Sequence, residues 1–296
     1  MNPSQETPEI PVEDAYALAE AVENNALKQR IADFARPFAR ILPDEEGEVK
    51  STSSYVGGYP FMPAGRNLDF PHDKSDRPLI FLCQINFSEL PEGIPDVPTS
   101  GLLQWFVEDD ELYGLSFEED ATGQEGLVVR WFSEEDLEQG SSSTPYDSVP
   151  GPVKGEFDWD SPLLSVFPTA VKFRREVGIP STEDYVDNMF KQDDAEALLD
   201  TYEGEEIYLM EALAVKYRYP EAVARGDKVG GYPALVQGDP RYRYPDKESS
   251  RLMVQLDSEF NTFTMWGDMG AAELYGIPDE VAKGDLSSVR WDWACH

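Results

Sequence analysis

The 296-residue chain is 41% hydrophobic, enough to bury a core, and its two cysteines, Cys83 and Cys295, rule out a disulfide framework and offer no Cys/His spacing for structural zinc. Its 24 basic and 58 acidic residues leave a net charge of −34, which repels phosphate backbones and excludes nucleic acid as an expected partner. Apolar runs such as "PLIFLC" (Pro78 to Cys83) fall far short of the roughly 20 residues of a membrane helix.

The chain opens on acids and prolines instead of a basic start and an apolar run, so no export signal is expected and residues 1–12 are predicted to be disordered. The expectation is a soluble protein of a reducing cytoplasm with no membrane partner. Acidic clusters at Val107 to Leu112, Phe117 to Asp120 and Ser133 to Glu138 read as solvated loops and helix starts ahead of cation sites. Adaptation of a whole proteome to salt would give the same composition.

In chain order, a helix is predicted from Glu13 to Arg36. Leu27, Ile31, Phe34 and Phe38 fall at steps of four, three and four, and Pro37 should end the helix near Arg36. "VGGYP" (Val56 to Pro60) then reads as a turn feeding a strand, because two glycines open backbone angles closed to other residues and proline extends the tyrosine before it. Strands follow in "FLCQIN" (Phe81 to Asn86), "GLLQWF" (Gly101 to Phe106) and "VRW" (Val129 to Trp131). Residues 138–162, rich in Gly, Ser and Pro, read as a loop or linker.

Beyond it, helices are predicted over Ser181 to Tyr202 and Glu205 to Tyr217. Ser181 and Asp184 are to form a capping box, Gly204 a stop, and Leu198, Leu199 and Tyr202 a buried stripe. "VGGYP" returns at Val229 to Pro233, now extended by "ALVQGDPR". "LMVQLD" (Leu252 to Asp257), "WGDMG" (Trp266 to Gly270), "GAAELY" (Gly270 to Tyr275) and a second "VRW" (Val289 to Trp291) complete the chain.

Four blocks thus recur in one order, at offsets of 173, 171, 169 and 160 residues. The predicted organisation is an internal duplication, with a first α+β repeat over 13–137 and a second over 163–296, packed as one globular unit. The predicted fold class is α+β, a helix plus antiparallel-strand unit used twice, with largely antiparallel sheets and helices at one face.

Gln84 and Gln255 are polar side chains inside apolar strands, where an unsatisfied amide costs roughly 1 to 3 kcal/mol, so each is assigned to bracing backbone of a neighbouring loop such as its own "GGYP" turn. Strict strand alternation points Arg130 away from Val129 and Trp131, toward solvent or an acid. The candidate ligand-binding residues are Gly57, Gly58 and Tyr59 of the first turn; Gly230, Gly231 and Tyr232 of the second; Gln237, Asp239 and Arg241 of its extension; and Trp266 and Asp268. The competing reading is structural: glycines for close backbone approach and an Asp-Pro loop brace.

No nucleophile elbow, phosphate loop, dinucleotide fingerprint or zinc-peptidase motif is present, and the histidines are only His72 and His296. A Cys83 and His72 dyad competes with a core position for Cys83. Asp257, Glu259 and Asp268 could converge on calcium, but their spacing is not diagnostic, so no metal or cofactor is expected.

Taken together, "PLIFLCQINFSELP", "GLLQWF", "VGGYPALVQGDPR", "LMVQLDS", "WGDMGAAELY" and "DLSSVRWDWAC" resemble the YwqG-like family, from about Val56 onward. The resemblance implies a duplicated α+β fold and a cytoplasmic bacterial protein. It brings no activity, cofactor or catalytic residue. The favoured expectation is a non-enzymatic module for a small molecule or protein, with its cleft between the "GGYP" turns and the "QGDPR" loop. The alternatives are an Asp/Glu-based hydrolase using a divalent metal, and an acidic, immunity-type neutraliser of a basic protein or toxin.

Overall fold

A computed structural model describes residues 14–149, 161–189, 212–213, 219, 225–258 and 263–296, apart from positions 117, 119, 120, 182 and 185. Two caps lie within the first predicted helix and divide it. Asp14 accepts from the Ala17 N–H to start α1 (Ala15–Ala21), and Asn24 accepts from the Ala26 and Leu27 N–H groups to start α2 (Asn25–Phe34). Val22 between them is extended. Leu27 and Ile31 are buried on α2, whereas Phe38 has already passed into a strand, because Pro37 cannot continue a helix. Most of the predicted 181–202 and 205–217 helices, with Leu198, Leu199, Tyr202 and Gly204, lies outside the described residues. Ser181 and Asp184 form no capping box: the Asp184 N–H bonds the Ser181 carbonyl, and the Asp184 carboxylate turns to Arg241.

The strands are β1 (Arg36–Pro43), β2 (Tyr55–Val56), β3 (Ile80–Asn86), β4 (Leu102–Val107), β5 (Leu127–Phe132), β6 (Thr169–Gly178), β7 (Lys228–Val229), β8 (Arg251–Asp257), β9 (Ala271–Gly276) and β10 (Arg290–Ala294). They form one sheet in the order β10-β9-β8-β7-β1-β6-β2-β3-β4-β5, and every described pairing is antiparallel. This sheet curls into a nearly closed barrel. That overturns the α+β expectation of helices lining one face. Among the described residues the α-helices are short: α1, α2, α3 (Glu134–Glu138) and α4 (Pro278–Val281), with Ala212 and Leu213 also helical. The reason is physical. A twisted ten-stranded sheet can bury its apolar face against itself, and helices are then not needed to cover it.

One core results, shared by residues from both ends of the chain: Ala39, Cys83, Trp105, Val254, Trp266 and Trp291 belong to a single apolar cluster. α1 and α2 sit over one end of the central β1/β6 pair, where Leu18, Leu27 and Ile31 pack with Phe38, Val177 and Ile179. β1 pairs with β6 from Arg36↔Gly178 to Pro43↔Val171. β1 then leads on to β7, while β6 leads on to β2, so the opening strand of each chain segment borders the other segment's strands.

From that centre outward the two wings correspond closely. Register shifts fall between Phe81 and Cys83 in β3 and between Leu252 and Val254 in β8. Gln84 faces Gln104, and Gln255 faces Glu273. The fourth block is the exception: Arg130 faces Gln104, but the residue facing Glu273 is Asp292, not Arg290. The two "VRW" triplets are therefore displaced by two residues in register, and Trp131 corresponds to Trp293. The barrel's open seam is bridged by residues 123–125. The Gly123 carbonyl takes the Trp291 N–H at 2.8 Å, Gln124 donates to the Ser287 and Val289 carbonyls, and the Trp291 indole donates to the Glu125 carbonyl.

Candidate functional site

The four turn glycines have φ of +70°, +73°, +72° and +74° at Gly57, Gly58, Gly230 and Gly231, a region that disfavours side chains. Their faces are occupied by the protein itself. A Cβ on Gly57 would lie 2.9 Å from the Ser165 carbonyl oxygen, on Gly58 2.6 Å from the Pro168 ring, and on Gly231 2.8 Å from Phe38; on Gly230 it would meet Ile94 and Val97 at 3.2 Å. Tyr59 packs against Phe70, and Tyr232 donates to the Phe34 carbonyl with the Arg36 guanidinium 4.4 Å above its ring. Each turn is fastened to a buried glutamine. Gln84 Oε1 accepts from the Phe61 N–H at 3.0 Å while its amide nitrogen donates to the Ser51 and Ser53 carbonyls. Gln255 Oε1 accepts from the Ala234 N–H at 2.9 Å while its nitrogen donates to the Gly226 carbonyl.

The "QGDPR" extension places its residues apart. Asp239 caps a short 3-10 turn (Pro240–Arg243), and Arg241, 1% exposed, bonds Asp239 at 2.9 Å, Asp187 at 3.1 Å and Asp184. Burial raises the Asp184 carboxyl to about 6 against the pull of Arg241, a cation shared by three carboxylates. Gln237 donates to the Cys295 carbonyl, and the exposed Asp268 accepts the His296 N–H through its own carbonyl. Trp266 is buried, edge-on to Tyr113 at 5.1 Å. Gln237 and Asp268 thus hold the C-terminal segment, whereas Asp239 and Arg241 lie in a closed ion-pair cluster. Asp257 pairs with Arg225, Glu259 lies outside the described residues, and no metal-binding group occurs among the described residues.

Cys83 is buried in the shared core, where burial pushes its thiol above the ordinary range. His72 bonds the Phe70 carbonyl and stacks near Phe70, which belongs to a different apolar cluster, so the two make no dyad. Arg130 is half-buried and partly open to solvent, and it forms no ion pair among the described residues. It donates to the Asp69 carbonyl and lies 5.5 Å over the Phe106 ring.

A polar row crosses six neighbouring strands, buried from Glu273 to Arg40, half-buried at Asp292 and exposed at Arg174: Asp292, Glu273, Gln255, Lys228, Arg40 and Arg174 are successive register partners from β10 to β6. Burial raises Asp292 to about 7 and Glu273 well above the carboxylate range, and lowers Lys228 to about 7. Asp227, whose carboxylate accepts the Asp257 N–H, is likewise raised to about 7 by burial. The signal for this row was present in "MVQL", "AAEL" and "WDWA", one polar residue within each apolar run, but its continuity depends on strand order.

A cleft of about 130 Å³ opens beside Gly58, lined by Pro78, Leu79, Ile80, Phe81, Val149, Leu163 and Val166 with Asp109 and Ser161. Around it Val166 is 60% and the adjoining Phe167 73% exposed, and Tyr146 is also exposed. Gly58 is the one predicted site residue on its wall.

The molecule is therefore a largely antiparallel β-barrel protein with a mostly buried polar row and a small apolar cleft. Residues 54–295 match the model of a domain of unknown function, DUF1963, and the chain belongs to that family. No curated protein matches it. No described helix is long and apolar enough to cross a membrane.

Proposed function

We propose that the chain is a non-enzymatic interaction module, YwqG-like and cytoplasmic in a bacterium, which receives one apolar side chain of a basic partner protein in the cleft beside Gly58. The observation that carries this reading is the cleft's size and rim. At about 130 Å³ it is far smaller than the roughly 300–1,000 Å³ of a typical small-molecule site, and close to the ~150 Å³ that holds a benzene ring. One aromatic or branched side chain fills it. Exposed Val166 and Phe167 extend the apolar surface beyond the opening, as a protein interface requires. The net charge of −34 selects cationic surroundings for that anchor and speeds their approach.

A lysine-flanked peptide carrying one phenylalanine tests the reading by amide chemical-shift mapping. Perturbations should centre on Leu79, Ile80 and Phe81, weaken with added salt, and disappear in Val166→Asp. Equal binding by a peptide with serine in place of phenylalanine, or shifts elsewhere only, would overturn it. Stabilisation by a divalent metal that Val166→Asp leaves intact would favour the carboxylate hydrolase instead.

A further inference from the structure

Gln104 and Glu273 occupy matching places. Each stands opposite the glutamine of the preceding long strand, Gln84 or Gln255, whose Oε1 holds the N–H of the residue following "VGGYP". In the first wing Gln104 completes the brace, its Nε2 donating to the Phe61 carbonyl at 2.8 Å and to Gln84 Oε1 at 3.2 Å. An amide nitrogen has two hydrogens and makes both bonds. A carboxylic acid has one, and a carboxylate has none.

We propose that Glu273 is held as the neutral acid, substituting for an amide, and that its ionisation is a pH-sensitive latch on the second turn, Gly230 to Ala234, and on the Gln237–Arg241 loop that follows it. As an acid, Glu273 can offer one hydrogen to the Gln255 oxygen or the Ala234 carbonyl. As an anion it would face the Gln255 oxygen with like charge, and the tie between β8, β9 and the turn would be lost.

The surroundings favour the neutral form. Glu273 is 3% exposed and forms no ion pair among the described residues. Facing it are Asp292 on β10 and Asp257 on β8, Lys228 on β7 with Arg225 just before it, Tyr275 on its own strand, and Tyr244 beyond the 3-10 turn; Arg40 on β1 stands next to Lys228. Burial first, then the two carboxylates, raises Glu273 against the two cations. The folded protein then keeps a proton that the unfolded chain releases above about pH 4.3, so stability falls as pH rises from there toward the raised folded value. Lys228 acts in the opposite sense, with its lowered value adding stability as pH rises above about 7, so the test belongs between pH 5 and 7.

Thermal unfolding of the full chain across that window, with Glu273→Gln and Gln104→Glu, separates the possibilities. Glu273→Gln should shrink the loss of Tm between pH 5 and 7 by about 5 °C, and Gln104→Glu should enlarge it by a similar amount. Hydrogen exchange at the Gly230–Ala234 amides, corrected for intrinsic pH dependence, should quicken toward pH 7 in the wild type and stay level in Glu273→Gln. If Gln104→Glu fails to fold, the Glu273→Gln slope and the exchange data still decide. A Glu273→Gln protein with the wild-type pH slope, or wild-type turn amides whose protection ignores pH, overturns the latch.

Discussion

Gln84 and Gln255 show what a single polar side chain does in an apolar strand: each gathers loop groups that would otherwise be buried without partners. Replacing Gln84 by leucine orphans the Phe61 N–H and two carbonyls. It should cost at least about 2 kcal/mol in urea unfolding, and Gln255→Leu a comparable amount. Gly58→Ala combines φ of +73° with a 2.6 Å approach to Pro168, so its Tm should fall by several degrees, whereas Gly65→Ala, with open space around it, should pay only the backbone strain of φ +83°. At this scale the sequence was informative, because a glutamine among aliphatics or a glycine pair before Tyr-Pro has few physical explanations. What residue identity alone could not reveal was the neighbour: Arg130, pointed toward solvent or an acid, is half-exposed and also meets the Asp69 carbonyl and the Phe106 ring.

Elements were legible where their pattern was local. "FLCQIN", "GLLQWF", "LMVQLD" and "GAAELY" alternate or run apolar and lie in β3, β4, β8 and β9. The first helix was read through Asn24, whose capping side chain divides it, because apolar periodicity outweighed the cap. The "VRW" pair misled for another reason. Identity of three residues suggested equivalence, while the ladder, set by cross-strand partners, places Asp292 where Arg130 stands. Arg241 ties the 3-10 turn to Asp184 and Asp187 across more than 50 residues of chain. Arg241→Met leaves three carboxylates without their shared cation, and stability should drop by about 3 kcal/mol at pH 7.5. Part of that loss should return at pH 5, where Asp184, raised to about 6, is protonated.

On the scale of the whole molecule, curling of the sheet was not readable, since the same alternation serves an open sheet or a barrel and the difference is collective twist and strand order. The buried acids add up at this level. Asp227 and Asp292, both raised to about 7, and Asp184, raised to about 6, hold protons in the fold that the unfolded chain has released. Their contribution to stability is full below about pH 4 and is lost as pH rises toward 7, so differential scanning calorimetry between pH 5 and 7 should show Tm falling. Repulsion within a chain of net charge −34 acts in the same direction. The exchange of opening strands between the wings bears on synthesis. A nascent chain carrying β1 to β5 has neither the β6 that joins β1 to β2 nor the β7 that flanks β1 on its other side. Severed between residues 149 and 161 and made as two polypeptides, the pieces should each stay unfolded yet restore the native far-ultraviolet spectrum on mixing, as a zip closes only when both its sides are present.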